Sequence, residues 1–320
     1  MSRTFLAALL CAAASGAYAQ GAYPSQTVTL IASAAPGGTT DLAARMIAEP
    51  LAKALGKPVV VENRPGGSGA IAASAVKRAA PDGYTLLVQY SGFQVITPHL
   101  IKSQFDPIKD FAPVANLIVA PQVIVVRPDL PVKSFADLVS YAKAHSGKLN
   151  YASSGNGSLQ HVTGEMIRQL GGVEMTHVPY KGTGPAVTDL LGGNVDMTFT
   201  TAPPLLAHIK AGKMRALAVT GNVSLPSLPD VPTTSKIKGF EKLDASSWFA
   251  VYAPAGTPKP VIDKLTGEIA KIMKTEEFKR KAEEQGAYAV YMNPQQLGEF
   301  TARELQSWGK FVKAANITAE

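Results

Sequence analysis

Cysteine is nearly absent: Cys11 is the single one in 320 residues. That excludes an intrachain disulfide and any metal held by several thiolates. Long apolar runs are missing as well. No stretch reaches the roughly twenty residues that a bilayer-spanning helix requires, so stable membrane insertion is not expected. There is also no block of like charge. The net charge is +7, but lysine and arginine are dispersed and not interleaved with aromatic residues, which argues against a nucleic-acid partner. A mild positive field of this kind suits small anions.

Enzymatic signatures are lacking too. The chain contains no Gly-x-Ser-x-Gly elbow, no His-Glu-x-x-His helix and no Gly-x-x-x-x-Gly-Lys-Ser/Thr phosphate loop. Its histidines, His99, His145, His161, His177 and His208, are far apart and show no metal-ligand spacing. No cofactor, no metal and no catalytic residue is therefore expected.

What is present starts with a leader. Arg3, the apolar run Phe5 to Ala14 and the small-x-small site Ala17-Tyr18-Ala19 read as a secretory signal over residues 1–19, cut after Ala19. Cys11 falls inside it, and Leu10 before it is not the small residue a lipoprotein signal places there. The remaining chain, in a sequence with 46% hydrophobic residues, can bury a sizeable core in one large or two ordinary domains.

The organising stretch is Ser33-Ala34-Ala35-Pro36-Gly37-Gly38-Thr39-Thr40-Asp41. It joins a strand at Thr27–Ala32 to a helix bearing Leu42, Met46, Ile47, Leu51 and Leu55. Adjacent glycines let the backbone turn, and Thr39, Thr40 and Asp41 are capping residues. Free N–H groups and the dipole at such a helix start suit a carboxylate or phosphate. An ordinary strand-to-helix turn can carry the same residues. Pro50 predicts a kink or early break, Gly56 the helix end and Arg45 a local ion pair with Asp41. Val59–Val61 is the next strand of a βαβ unit. Gly67-x-Gly69-x-x-Ala72 imitates a dinucleotide fingerprint, but it follows the second strand, and Gln89 and Tyr90 stand where an acidic residue belongs.

The chain is loop-like over 105–113, and Val123–Val126 is read as the first crossing between domains. Ser134 starts a capped helix. The opening pattern then recurs. Ser153-Ser154-Gly155-Asn156-Gly157-Ser158 precedes a helix bearing Leu159, Val162, Met166, Ile167 and Leu170. Pro179-Tyr180-Lys181-Gly182-Thr183-Gly184-Pro185 precedes another, with Pro185 expected at its first position. Ser247–Tyr252 is the return crossing, and the remainder is mainly helical.

Three strand-loop-helix junctions of this type suggest one anion pocket, because ligands of open α/β sheets sit beyond the carboxyl ends of the strands. The candidate ligand-binding residues on the first junction are Ser33, Ala34, Gly37, Gly38, Thr39 and Thr40. Gln89 and Ser91 come from the third strand end. Ser154, Gly155, Ser158, His161, Tyr180, Thr183 and Thr201 come from the second half, and Trp248 from the return crossing. His161 can equally be a capping or surface histidine, and Tyr180 and Trp248 can be core.

Pro36-Gly37-Gly38-Thr39-Thr40-Asp41, Val61-Glu62-Asn63-Arg64-Pro65-Gly66-Gly67, Val178-Pro179-Tyr180-Lys181-Gly182 and Ala253-Pro254-Ala255-Gly256-Thr257-Pro258 carry a resemblance over nearly the whole mature chain. The sequence resembles the periplasmic solute receptors of tripartite tricarboxylate transporters, the Bug family. The resemblance implies an α/β, two-lobed periplasmic binding protein of type II, whose two βα domains are joined by two crossing strands. Lobe 1 would be residues 20–121 plus 250–320, and lobe 2 residues 122–249. It also implies a periplasmic, monomeric protein that binds a small carboxylate and docks on a membrane permease. Carried over by position, Gly37, Gly38, Thr39 and Thr40 would serve from one lobe, and Ser154, Gly155, Ser158, Tyr180 and Thr183 from the other. One departure stands out: Ser33, Ala34 and Ala35 occupy positions where the family has an aromatic residue. A roomier pocket, suited to a bulkier or aromatic mono- or dicarboxylate, is the expectation. A ligand-presenting subunit of a sensory system is the alternative reading, and a carboxylate-ester hydrolase is contradicted by the missing nucleophile motif.

Overall fold

In the computed structural model, which describes residues 23–318, the β-branched run after Gln26 forms β1 (Val28–Ala32). The predicted signal and its cut after Ala19 lie outside the described residues. α1 (Thr39–Leu55), β2 (Val59–Asn63), α2 (Ala70–Lys77) and β3 (Thr85–Tyr90) follow, and β1 pairs in parallel with both β2 and β3. α1 runs to Leu55 with Pro50 inside it, so the expected early break does not occur. Burial of Ile47, Ala48 and Leu51 around the proline outweighs the roughly 3 kcal/mol that an interior proline costs. Gly56 ends the helix in the left-handed region, donating its N–H to the Ala52 carbonyl, as expected.

A π-helical turn at Gly92–Ile96 leads into α3 (Thr97–Leu100) and then β4 (Phe111–Val126). β4 has 16 residues, where the sequence predicted a loop up to residue 113 and a short strand. Pro113 and Pro121 mask it, since proline is expected to interrupt a ladder. Next come α4 (Phe135–Ala144), β5 (Asn150–Ser153), α5 (Leu159–Gly171), β6 (Thr176–Pro179), α6 (Thr183–Leu191), β7 (Met197–Thr201), α7 (Leu206–Lys210), β8 (Arg215–Val219) and β9 (Ser246–Pro254). α6 begins at Thr183, so Pro185 lies in its first turn and not at its first position. α8 (Lys259–Met273), α9 (Glu276–Glu284), β10 (Tyr288–Met292) and α10 (Pro294–Ala314) complete the chain. β10 is a strand within a region read as helical, and it pairs antiparallel with β4.

The two lobes share β4. Phe111 to Pro121 pairs with β9, and from Gln122 onward the same strand pairs with β7 and β8. One group of strands runs β2-β1-β3-β9-β4 and the other β4-β7-β5-β6. The far half of β4 buries alternate side chains on opposite faces, Ile124 and Val126 with Phe135, Tyr151 and Phe199, and Val123 and Val125 with Leu190 and Val219. That is the two-residue period of a strand buried on both sides. The first lobe has its own core around Leu30, Ile47, Leu117 and Val251. The carboxyl ends of β1, β5 and β6 and the helices after them therefore meet where the two bodies join, with Leu159 and Val162 of α5 packed into the first lobe's core.

Candidate functional site

Helix starts in this protein are of two kinds. Ser134, Ser158, Thr275 and Asn293 cap α4, α5, α9 and α10 by accepting a first-turn N–H on a side-chain oxygen. α1 and α6 begin at Gly38 and Gly182 and have no side-chain cap. Thr39, Thr40 and Asp41 are thus not the cap that the sequence suggested: they are the first three residues of the helix. Asp41 accepts the Gly37 N–H at 3.2 Å and holds Arg45 at 3.0 Å, the expected local pair. The uncapped starts of α1 and α6 face each other. A Cβ on Gly38 would lie 3.6 Å from that of Thr183, and one on Gly184 would lie 2.4 Å from the Pro36 carbonyl oxygen. Two helix N-termini carry partial positive charge of the same sign, so their approach favours an anion between them.

The space between these jaws is about 20 Å³, room for a single water. The first lobe contributes Ala34, Gly38, Thr39, Thr40, Tyr90 and Phe93, with Ser247 and Phe249 from β9. Ser154, Gln160, Thr183 and Thr201 face them. Thr39 and Thr201 hydroxyls meet across the cleft at 2.5 Å. Gln160 ties the site together: its Oε1 accepts from Ser154 and Tyr90, both at 2.9 Å, and its amide donates to Thr183 at 3.3 Å and Thr200 at 3.2 Å. Tyr90 also accepts the Leu159 N–H at 2.7 Å. Its burial pushes the phenol well above its ordinary range, so it stays a neutral donor. Among the described residues no charged side chain lines this space. Of the Ser33-Ala34-Ala35 segment, Ala34 borders this small space and Ser33 a larger cavity beside it. Rings from other elements line the site, with Phe93 and Phe249 packed 5.0 and 5.8 Å from Tyr90.

A second cavity of about 200 Å³ adjoins the first, sharing Phe93 and Ser154. Ser33, Gly66, Gly67 and Ser68 line it from one lobe, and Gly155, Asn156, Pro179, Tyr180 and Lys181 from the other. Ser68 Oγ donates to the Asn156 carbonyl at 2.7 Å. Tyr180 stands here and not in the jaw. Its hydroxyl donates to Asp189 at 2.5 Å, and burial, followed by the Asp189 carboxylate, pushes its pKa up to about 12.

The remaining candidates lie outside both cavities. Gly37 turns with φ +81° beside the jaw. Gln89 is fully buried on β3, next to Tyr90, and successive strand residues face opposite ways. Ser91 Oγ accepts the Trp248 N–H at 3.3 Å. Trp248 packs its ring 5.6 Å from Phe300 on α10, because Ser247 and Phe249 take the cleft side of β9. Ser158 is occupied as the α5 cap. His161 turns away: its ring stacks 4.2 Å from His177 and its Nδ1 accepts the Gly157 N–H at 3.3 Å. Both rings line a separate groove with Glu165 and Arg168. Burial lowers the His161 pKa, and burial reinforced by His161 brings His177 to about 3. Sequence reading missed Tyr90, Phe93, Gln160, Ser247 and Phe249. The alternation along β3 and β9 was the available signal.

The profile of the tripartite tricarboxylate transporter family receptors matches residues 43–317. This chain belongs to that family. Protein BugT of Bordetella pertussis is 36% identical over 293 residues, 91% of this chain and 90% of BugT. The structure of the periplasmic binding protein BugD superimposes with a TM-score of 0.89 at 34% identity, over 93% of this chain and all of that one. An R. palustris protein solved with adipate gives 0.89 at 36% identity, over 92% of this chain and 99% of its own. MatC from Rhodopseudomonas palustris with bound malate gives 0.85 at 32%, over 91% and 100%. The family consists of solute receptors, so this chain is a binding protein and not an enzyme. Among the described residues no helix is long and apolar enough to cross a membrane.

Proposed function

We propose that this receptor captures a small carboxylate in the periplasm, between a lobe of residues 20–121 plus 250–320 and a lobe of 122–249. It then passes the ligand to the permease of a tripartite tricarboxylate transporter. The change of β4 partners between Pro121 and Gln122 supports the first boundary. The carrying observation is the meeting of the uncapped α1 and α6 N-termini across the cleft. A carboxylate there accepts N–H groups of both helices and hydroxyls of Thr39, Thr40, Ser154, Thr183 and Thr201. It neutralises two facing dipole ends that otherwise repel. The ligand thereby binds the closed arrangement better than the open one and shifts the equilibrium toward closure. The cavity is too small for a diacid to enter unless the lobes part, so opening precedes capture. Adipate and malate in two similar receptors support a carboxylate of this size.

A thermal-shift screen over mono-, di- and tricarboxylates tests the reading, since a ligand of the folded state must raise its melting temperature. At least one carboxylate should raise it by several degrees. A flat profile across the panel refutes the reading.

A further inference from the structure

One peptide unit of the Ser153–Ser158 loop is gripped from both sides. Its carbonyl, that of Asn156, accepts from Ser68 Oγ of the facing lobe at 2.7 Å, and its N–H, that of Gly157, donates to His161 Nδ1 at 3.3 Å. Thr97 of the facing lobe donates to the next carbonyl, that of Gly157, at 3.2 Å. A backbone N–H only donates, so Nδ1 bears the lone pair and the His161 proton sits on Nε2. A peptide that donates at one end accepts more strongly at the other, which ties the Ser68 bond to the state of the imidazole. Ser68 itself stands at φ +48°, a left-handed conformation that serine adopts only where its surroundings hold it. The His161 ring stacks on His177, which meets Ser153 Oγ at 2.6 Å at the start of the same loop. Among the described residues the charged groups beside the two rings are Glu165 and Arg168 on α5 and Glu174 before β6, while Asn316 and Thr318 bring no charge. Arg168 binds both carboxylates, at 2.9 and 3.2 Å, and the Tyr151 phenol of β5 donates to Glu165 at 3.4 Å.

We propose that His161 is a positioning residue for ligand capture: as a neutral acceptor it holds the Asn156–Gly157 peptide toward Ser68, and as an imidazolium it lets that peptide go. The proposal rests on the carboxylate reading above and adds a proton-sensitive hold on closure. A protonated ring carries an N–H at Nδ1 as well and meets the Gly157 N–H donor to donor. Gly157, at φ +74°, leaves the peptide free to turn, and a turned peptide takes the Asn156 carbonyl away from Ser68. Closure then loses a bond that crosses the cleft. The stack admits a single proton, since two imidazolium rings 4.2 Å apart repel. Burial lowers the His161 pKa below its ordinary value, with Glu165 opposing. The neutral acceptor is therefore complete above about pH 6.5 and is lost as the pH falls below it.

Calorimetric titration of the carboxylate that raises the melting temperature most, at about pH 7.5 and about pH 5, tests this on wild type, His161→Gln and Ser68→Ala. The glutamine amide oxygen can accept the Gly157 N–H but takes up no proton, and Ser68→Ala lacks the bond on which the proton acts. Wild type should lose at least about fivefold more affinity at the lower pH than either variant. Titration of the carboxylate itself is common to the three proteins and cancels in the comparison. Ser68 is half-buried, so that variant retains the fold, and its melting temperature at both pH values checks this. In amide NMR spectra of the unliganded wild type, the Gly157 signal should move with the midpoint of the His161 ring. An equal change in affinity with pH in wild type and His161→Gln overturns the proposal, as does the full wild-type loss in Ser68→Ala or a Gly157 signal that does not follow the His161 ring. Absence of binding by every carboxylate to wild type at the higher pH overturns the carboxylate reading itself, a different result from a pH dependence that the variants share.

Discussion

Tyr90 on β3 and Gln160 on α5 join the two lobes through one hydrogen bond of 2.9 Å, and the same phenol oxygen accepts the Leu159 N–H at 2.7 Å. A tyrosine of one lobe thus helps to cap a helix of the other. These bonds cross between the lobes, so they stabilise the closed arrangement.

Tyr90→Phe removes both at little change in volume. Each neutral hydrogen bond contributes about 1 kcal/mol, so ligand affinity should fall by roughly tenfold or more. Titration calorimetry on the variant reads this. Near-UV circular dichroism of the unliganded protein should change little.

Gly184→Ala acts on the same equilibrium by sterics. Its Cβ would stand 2.4 Å from the Pro36 carbonyl oxygen of the facing lobe, a backbone atom that cannot swing aside. Affinity should drop by at least about tenfold, on the scale of 1–3 kcal/mol for overpacking. Gly267 is the control. It lies inside α8, and a Cβ added there would meet nothing within 4 Å, so Gly267→Ala should add about 0.5–1 kcal/mol of stability and leave binding unchanged. Melting curves and titrations on the two alanine variants separate the effects.

Stability should depend on pH through the stacked pair His161 and His177. Burial, with His161 adding to it, holds His177 at about 3, far below the roughly 6.5 of an unfolded histidine. The unfolded chain therefore binds more protons between those values. Stability is intact above about pH 6.5 and declines as the pH falls toward 3. His177→Gln should flatten that part of the profile of melting temperature against pH. An unchanged slope would assign the acid sensitivity to other groups.

Much of the fold was legible because local signals and tertiary context agree. The Gly56 cap, the Ser134 capping box and the alternation of strands and helices appear where the residues predicted them. The long β4 was not, since Pro113 and Pro121 lie within it at positions that its pairing with β9 accommodates. The three glycine-rich loops do come together, but two residues illustrate what linear reading misses. Trp248 attracted notice as a large aromatic, yet the parity of β9 gives the cleft to Ser247 and Phe249. Gln160 carries no motif, and only the packing of α5 against β3 makes it the hub of the site.

The most direct measurement is titration of the carboxylate that raises the melting temperature most into wild type and Gly184→Ala, since the variant's new Cβ blocks the close approach of α6 to Pro36. A carboxylate held between the α1 and α6 N-termini requires that approach, so it should bind wild type with a clear isotherm and Gly184→Ala at least about tenfold more weakly. Equal affinity in the two proteins, with both folded, would contradict capture between the jaws.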